Sequence, residues 1–229
     1  IAISKDSKKI IFFDVVQPSN LGYHSELGSG SLAIEISAYG EKIITNCGGS
    51  EIGGKNPAYL KYSAAHSTII LDNTNVSEIK KGGFNINFVK KVNFEAKNND
   101  KFLILSGTHN GYLTNYNKIC KRTLFISKKR DVLRGEDTII STKSIIRKNV
   151  YHIRFHLMPE VSTTLTENKK NIIIKTKKNN IWMFRSNKEI VIERSIFVIN
   201  DIANQTNQIV ISGITSTLNT KIEWSLEKI

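Results

Sequence analysis

Hydrophobic positions along the chain mostly alternate with polar ones at a period of two, and helical spacing of apolar residues is nearly absent. The runs are rich in isoleucine, valine and threonine, which favour extended chain. The pattern predicts the following strands: Ile10–Val16, Ser31–Ser37, Lys42–Asn46, Ala65–Leu71, Phe84–Glu95, Phe102–Gly107, Ile119–Ser127, Val132–Ser141, Val150–Leu157, Ser162–Thr166, Ile172–Thr176, Ile181–Arg185, Ile190–Val198, Gln208–Ile214 and Lys221–Leu226.

Beyond residue 160 the predicted strands are short and evenly spaced, with polar turns such as "NKKN" and "SNKE" between them. This spacing is typical of a meander of hairpins. Only three prolines interrupt the 229 residues, and neither a repeat nor a low-complexity linker divides them. The sequence therefore predicts an all-β fold, a large antiparallel β-sandwich that forms a single domain over residues 1–229.

The chain carries 33 lysines and arginines against 20 acidic residues, a formal net charge of +13. Many lysines stand beside asparagine in predicted turns, so solvated turn charge explains the excess better than a polyanion site does. A basic surface nevertheless attracts acidic glycans. No nucleic-acid-binding motif is present, and no apolar run reaches the ~18 residues of a membrane helix. We therefore expect neither a nucleic-acid nor a membrane partner.

Two cysteines, Cys47 and Cys120, lie far apart in the sequence and form no CxxC pair. Such spacing is typical neither of a disulfide framework nor of a zinc site. Two buried free thiols are the simplest interpretation, while pairing in an oxidising compartment stays open.

A histidine stands at the start of an apolar run in "YSAAHSTIILDN" (residues 62–73). In a strand that begins near Ala65, alternation places His66 and Asp72 on one face. Six residues of extended chain separate them by about 20 Å, so Asp72 cannot be the partner of His66. From these residues alone, an ordinary strand-edge position is favoured over a functional role.

In "VYHIRFHLMP" the side chains of His152, Arg154 and His156 share the face opposite the apolar residues. The two histidines are about 13 Å apart and a permanent cation lies between them, which argues against a shared metal. The stripe is suited to binding carboxylate or sulfate groups, and a merely solvated face is the equal alternative.

In "SGTHNGYLTNYNKICKR" three ring side chains, His109, Tyr112 and Tyr116, surround a predicted turn at residues 110–111. Histidine and tyrosine are a common acid–base pair for moving a proton from carbon to a leaving oxygen. A hairpin tip with a packed tyrosine is the alternative, and the sequence slightly favours it.

These stretches are collinear with a known family over nearly the whole chain beyond residue 12. The chain resembles the C-terminal β-sandwich module of the heparinase II/III-like polysaccharide lyases. The segments that carry the resemblance are "GSLAIEISAYGEKIITNCGG", "YSAAHSTIILDN", "GTHNGYLTNYNKICKRTLFIS", "LRGEDTI", "HIRFHLMPEV", "WMFR" and "NQIVISG".

The resemblance implies an N-terminal α/α toroid, absent from this chain, that binds acidic polysaccharide in a cleft shared with the sandwich. Residues 1–12 would then be a linker from the toroid. Such enzymes cleave uronate-containing chains, heparin-, heparan- or alginate-like, by β-elimination in the periplasm or outside the cell. The sandwich alone is expected to be inactive.

The resemblance assigns catalytic roles to His66, His109 and Tyr112, and substrate contacts to Arg154, His156 and Tyr116. A non-catalytic glycan-binding or structural sandwich that has lost its site is the alternative.

Some members of the family also hold a structural zinc ion, and the matching positions are altered here. In "HSELGSGSL" the residues Gly28 and Gly30 replace an expected histidine and aspartate, with His24 just upstream. Asn46 replaces a further aspartate, and Met158 replaces a second histidine. We therefore expect no metal and no other cofactor.

Overall fold

The computed structural model describes residues 2–5, 8–16, 28–49, 57–79, 85–86, 91–143, 147–216 and 218–229. Within these ranges the chain is almost entirely β-strand, arranged as two large antiparallel sheets. No helix in the described ranges has the length and apolar character needed to cross a lipid bilayer.

The first sheet contains eight strands and carries Arg154 and His156 on its outer face. Its order is β1 (Ala2–Lys5), β2 (Lys9–Phe13), β3 (Ile34–Ala38), β4 (Glu41–Thr45), β12 (Val150–Leu157), β17 (Ile202–Ile214) and β16 (Ile190–Ile199). Strand β5 (Ile69–Leu71) pairs with residues 151–153 of β12, whereas β4 pairs with residues 156–157.

The second sheet also has eight strands, and neighbouring strands are joined mostly by short turns. Its order is β13 (Ser162–Leu165), β14 (Asn171–Lys175), β15 (Ile181–Ser186), β18 (Asn219–Lys228), β11 (Val132–Ser141), β10 (Lys118–Ser127), β9 (Phe102–His109) and β8 (Val92–Asn98). A two-stranded pair, β6 (Glu78–Ile79) with β7 (Asn85–Ile86), lies apart from both sheets.

Apolar side chains from the inner faces of the two sheets fill the space between them. Phe155 of the first sheet meets Phe184 and Trp224 of the second, with ring centroids 5.0 and 4.8 Å away. Alternation along β12 explains this placement, because Tyr151, Ile153 and Phe155 point inward and leave the polar residues outside.

A buried ion pair of the second sheet lies in this core. Arg122 of β10 donates from Nε and Nη2 to the carboxylate of Asp137, at 2.6 and 2.9 Å. Trp224 Nε1 donates to the same carboxylate at 2.9 Å. Arg122 Nη1 donates to the carbonyls of Leu32 and Ser67, at 2.9 and 2.7 Å. These two residues lie just before strands β3 and β5 of the first sheet. The pair is therefore fully hydrogen-bonded, as a charge in a dry interior requires.

The predicted all-β antiparallel sandwich is confirmed. Residues 2–5 and 9–13, which overlap the segment 1–12 expected to be a linker, form β1 and β2 and pair with each other. Cys47 and Cys120 are both buried free thiols, as expected. The strand predicted over Ala65–Leu71 begins only at Ile69, because residues 63–65 form a 3-10 turn.

Candidate functional site

His66 lies between the 3-10 turn Ser63–Ala65 and strand β5. The alternation expected for a strand starting at Ala65 is therefore wrong at this residue. Asp72 lies past the far end of β5, where its carboxylate accepts hydrogen bonds from Asn149 Nδ2 and the Val150 amide. The two side chains are not partners, as the sequence predicted.

The imidazole of His66 occupies a slot between two glycines. A Cβ atom on Gly28 would come within 2.6 Å of His66 Nε2, and one on Gly30 within 2.8 Å of Nδ1 and Cγ. Both distances are well inside van der Waals contact, so any larger residue at either position would displace the ring. The two positions where the family resemblance implies metal ligands are thus the walls of the slot.

Enclosure in the slot sets the charge of His66. Burial lowers the pKa of His66 to about 4, and the nearby carboxylate of Glu35 acts in the opposite direction. The ring is therefore neutral at pH 7. Its Nε2 is buried and has no hydrogen-bond partner among the described residues.

Asn46 connects this slot to the neighbouring strands. Its Nδ2 donates to Glu35 Oε1 at 2.9 Å, and its Oδ1 accepts from the Ser67 amide at 2.8 Å. Ser67 Oγ in turn accepts from the His156 amide at 2.9 Å. The hydrogen bonds therefore run from Glu35 through Asn46 to the backbone that carries both histidines.

His156 lies on the outer face of β12 under the segment that contains Ala64. Its Nε2 is 3.0 Å from the Ala64 carbonyl, which can only accept, so this nitrogen carries the proton. Its Nδ1 then accepts from Ser195 Oγ at 2.7 Å, with Cys47 Sγ 3.5 Å away. Burial lowers the pKa of His156 to about 3, so the ring is neutral.

Arg154 and His152 continue the same outer face along β12. Arg154 Nη1 donates to Glu193 at 3.0 Å, while its buried Nε has no partner among the described residues. His152 Nδ1 lies 2.8 Å from Ser212 Oγ. The structure therefore brings His66, Arg154 and His156 to one face of the first sheet.

His109, Tyr112 and Tyr116 form a separate cluster inside the sandwich. His109 and Tyr112 are 1% and 0% exposed, and their ring centroids are 5.7 Å apart. Tyr112 donates to the Thr74 carbonyl at 2.9 Å, and His109 Nδ1 accepts from the Gly111 amide at 3.1 Å. Tyr116, at the end of the short helix α1 (Leu113–Tyr116), packs against Tyr112 with its ring tilted by 47°, and its hydroxyl is hydrogen-bonded to Thr74 Oγ1.

The burial of this cluster favours the packed-turn alternative over the catalytic one for His109 and Tyr112. Burial lowers the pKa of His109 to about 3 and raises that of Tyr112. A neutral histidine and a tyrosine that holds its proton tightly, both without solvent contact, are ordinary core residues.

The residues present do not fit the zinc ion that the family resemblance implies. Gly28 and Gly30 offer no ligand atoms, and the Asn46 amide is already engaged on both sides. Within the described ranges, no three histidine, cysteine or acidic side chains are grouped as a metal requires. His24 and residues 50–56 fall outside those ranges.

Sequence reasoning missed three residues that shape the site: Glu35, Ser195 and Arg122. Glu35 and Ser195 come from strands far from His66 and His156 in the sequence, and only the sheet order brings them close. Arg122 gave a usable signal, because an arginine between Cys120 and Leu124 on an otherwise apolar face needs a buried acid as its partner.

The comparisons with known proteins agree with this architecture. A profile of the family described as heparinase II/III-like, C-terminal, matches residues 2–225. FtsZ-localized protein C of Caulobacter vibrioides is 25% identical over 213 residues, which are 86% of this chain and 36% of that protein.

Two crystal structures share the fold. Heparan sulfate lyase HepC from Pedobacter heparinus matches with a TM-score of 0.77 at 14% identity, over 97% of this chain and 33% of that one. A structure of heparinase III matches with a TM-score of 0.73 at 14% identity, over 96% and 33%. This chain thus spans about a third of the length of the relatives it matches. Because the family profile covers almost every residue, the chain belongs to the heparinase II/III-like family and corresponds to its C-terminal region.

Proposed function

We propose that this chain is the β-sandwich module of a lyase that cleaves uronate-containing acidic polysaccharide by β-elimination. The observation that carries the proposal is the gathering of His66, His156 and Arg154 on one face of the first sheet. This face would border the substrate, and an N-terminal domain of the same polypeptide would complete the cleft. The module would act in the periplasm or outside the cell, where such polysaccharides occur.

The chemistry requires three operations. Hydrogen-bond donors must neutralise the uronate carboxylate, a base must remove the proton at C5, and an acid must protonate the leaving oxygen. His66 suits the proton transfers because its ring is neutral and partly exposed. Arg154 suits the carboxylate, since its guanidinium carries a permanent positive charge and its Nε has no partner among the described residues.

The proposal is tested with the full-length protein and heparin, heparan sulfate and alginate, by following the ultraviolet absorbance of the unsaturated product. We expect turnover on at least one substrate and a fall in kcat of about 100-fold or more for His66→Ala, the usual scale for a lost acid–base group. The control is Arg134→Ala, an exposed residue of the second sheet, which should leave kcat within about twofold. No product from any uronate would overturn the proposal.

The second candidate is a non-catalytic sandwich that binds glycan or a protein partner. Two observations favour it: glycines stand at the expected ligand positions, and a relative is named for its localisation with FtsZ. The turnover assay separates the candidates, because a non-catalytic sandwich forms no product from any uronate. Unchanged turnover in His66→Ala would only remove His66 from the chemistry.

A further inference from the structure

A groove of about 380 Å³ lies beside His156, on the outer face of the first sheet. The segment with the two 3-10 turns, Ala58–Lys61 and Ser63–Ala65, lines one part of it. Residues 194–196 of β16 and Gln208 of β17 line another. We call it the tyrosine groove, because Tyr59 and Tyr62 border it and remain 45% and 42% exposed. Large rings left in water beside a concavity are typical of ligand sites.

The groove also contains a buried acceptor without a partner. Gln208 is 8% exposed, and its Nε2 donates to the carbonyl of Arg194 at 3.1 Å and lies 3.5 Å from Glu193 Oε2. Both partners can only accept, so the amide orientation is fixed and Oε1 is the unpartnered atom among the described residues. A hydroxyl group of a ligand would supply the missing donor.

A positive charge stands at the rim. Arg194 is exposed, and its guanidinium makes no ion pair within the described part of the chain. The groove also contains a thiol and a neutral imidazole, since burial raises the pKa of Cys47 and lowers that of His156. These groups suit binding rather than covalent chemistry.

We propose that the tyrosine groove binds one anionic sugar unit of an acidic polysaccharide. The sugar ring would lie against Tyr59 and Tyr62, its carboxylate or sulfate would contact Arg194, and a hydroxyl would donate to Gln208 Oε1. The proposal rests on the proposed function, and extends it by assigning a second binding position on the same face as His66. His156 links the two positions through its bond to the Ala64 carbonyl.

The test measures affinity on the full-length protein by calorimetry, with a heparin-derived octasaccharide, an unsulfated oligouronate and a neutral dextran oligomer. Arg194→Ala and the Tyr59→Ala/Tyr62→Ala double variant should each weaken binding of an acidic probe by roughly tenfold, the scale of one lost charged hydrogen bond. The sulfated and unsulfated probes show which anionic group Arg194 recognises. Dextran should bind at least about tenfold more weakly than the acidic probes.

Matched controls lie on the second sheet. Arg134→Ala removes an exposed arginine from β11, and Phe94→Ala removes an exposed ring from β8. Both should leave affinity within about twofold. An equal loss of affinity for Arg134→Ala and Arg194→Ala would overturn the proposal, because binding would then depend on the overall surface charge and not on the groove.

Parallel turnover measurements separate this inference from the lyase proposal. If the groove variants bind the acidic probes more weakly but the parent protein forms no product, the groove proposal is supported and the lyase proposal is rejected. Turnover with an unchanged KM in those variants supports the lyase and rejects the groove.

Discussion

His66 and His109 share two properties and differ in a third. Each has a buried Nε2 without a partner among the described residues, and burial holds their pKa values at about 4 and about 3. His66, however, lies on the outer face of a sheet, in a slot walled by two glycines. His109 lies inside the sandwich against Tyr112 and is 1% exposed.

The comparison shows that a low pKa and an unpartnered nitrogen do not identify a functional histidine. Both follow from burial alone, wherever the burial occurs. Exposure is what distinguishes the two residues, since His66 is partly exposed beside the first sheet, whereas the His109 side chain is enclosed between the sheets. The three predictions below test this distinction.

The largest effect is expected for Arg122→Met, because this arginine contacts the surroundings of both histidines. Its Nη1 bonds the carbonyls of Leu32 and Ser67 beside the slot, and its charge lowers the pKa of His109. The variant leaves the fully buried Asp137 carboxylate with Trp224 as its remaining partner. We expect a loss of about 3–5 kcal/mol in the free energy of unfolding, measured in urea.

The control is Arg185→Met, which removes an arginine from an exposed pair with Glu227 at 2.8 Å. Such pairs contribute about 0–1 kcal/mol, so the control should unfold almost as the parent does. A loss below about 1 kcal/mol for Arg122→Met would show that the core ion pair does not hold the two sheets together.

Much of the fold could be predicted from sequence, whereas the site could be predicted only in part. Period-two alternation gave strand β12 at its observed bounds and correctly placed Arg154 and His156 outside. It was wrong at His66, because a 3-10 turn has no alternation and the two alanines before it gave no turn signal. The slot itself depends on Gly28 and Gly30 approaching from another segment, a long-range contact that local patterns do not encode.

A smaller effect is expected for Tyr112→Phe, which removes the phenol that donates to the Thr74 carbonyl at 2.9 Å. A partly buried acceptor then loses its partner, at a cost of about 1–2 kcal/mol in unfolding free energy. Because the ring is enclosed in the core, kcat of the full-length protein should stay within about twofold.

Tyr116→Phe is the companion variant, since this tyrosine bonds the side chain of the same threonine from a partly exposed position. It should cost less than Tyr112→Phe. A kcat loss above about tenfold for Tyr112→Phe, with stability intact, would show that the Tyr112 hydroxyl takes part in the reaction. The interior cluster could then no longer be distinguished from the His66 slot by its lack of a catalytic role.

The smallest effect per step of the experiment, a single pH unit, concerns the titration of the two histidines, which nuclear magnetic resonance of the ring carbons resolves separately. His66 should protonate near pH 4 and His109 only near pH 3. In the unfolded chain both titrate near pH 6.5, so the unfolded state binds more protons below that value. Stability is therefore complete above about pH 6.5 and falls as pH decreases toward each folded pKa, by up to about 1.4 kcal/mol per pH unit and histidine.

Replacing either residue should remove one of the protons taken up on unfolding, so the free energy of unfolding should depend less steeply on pH. Only His66→Ala should also change turnover. His109→Leu keeps an apolar side chain of similar bulk in the core, so its flatter slope should come with unchanged kcat. A His109 that titrates near pH 6.5 in the folded protein would mean that solvent reaches the interior cluster. Solvent would then reach both histidines, and their exposure would no longer support placing the reactive site on the outer face.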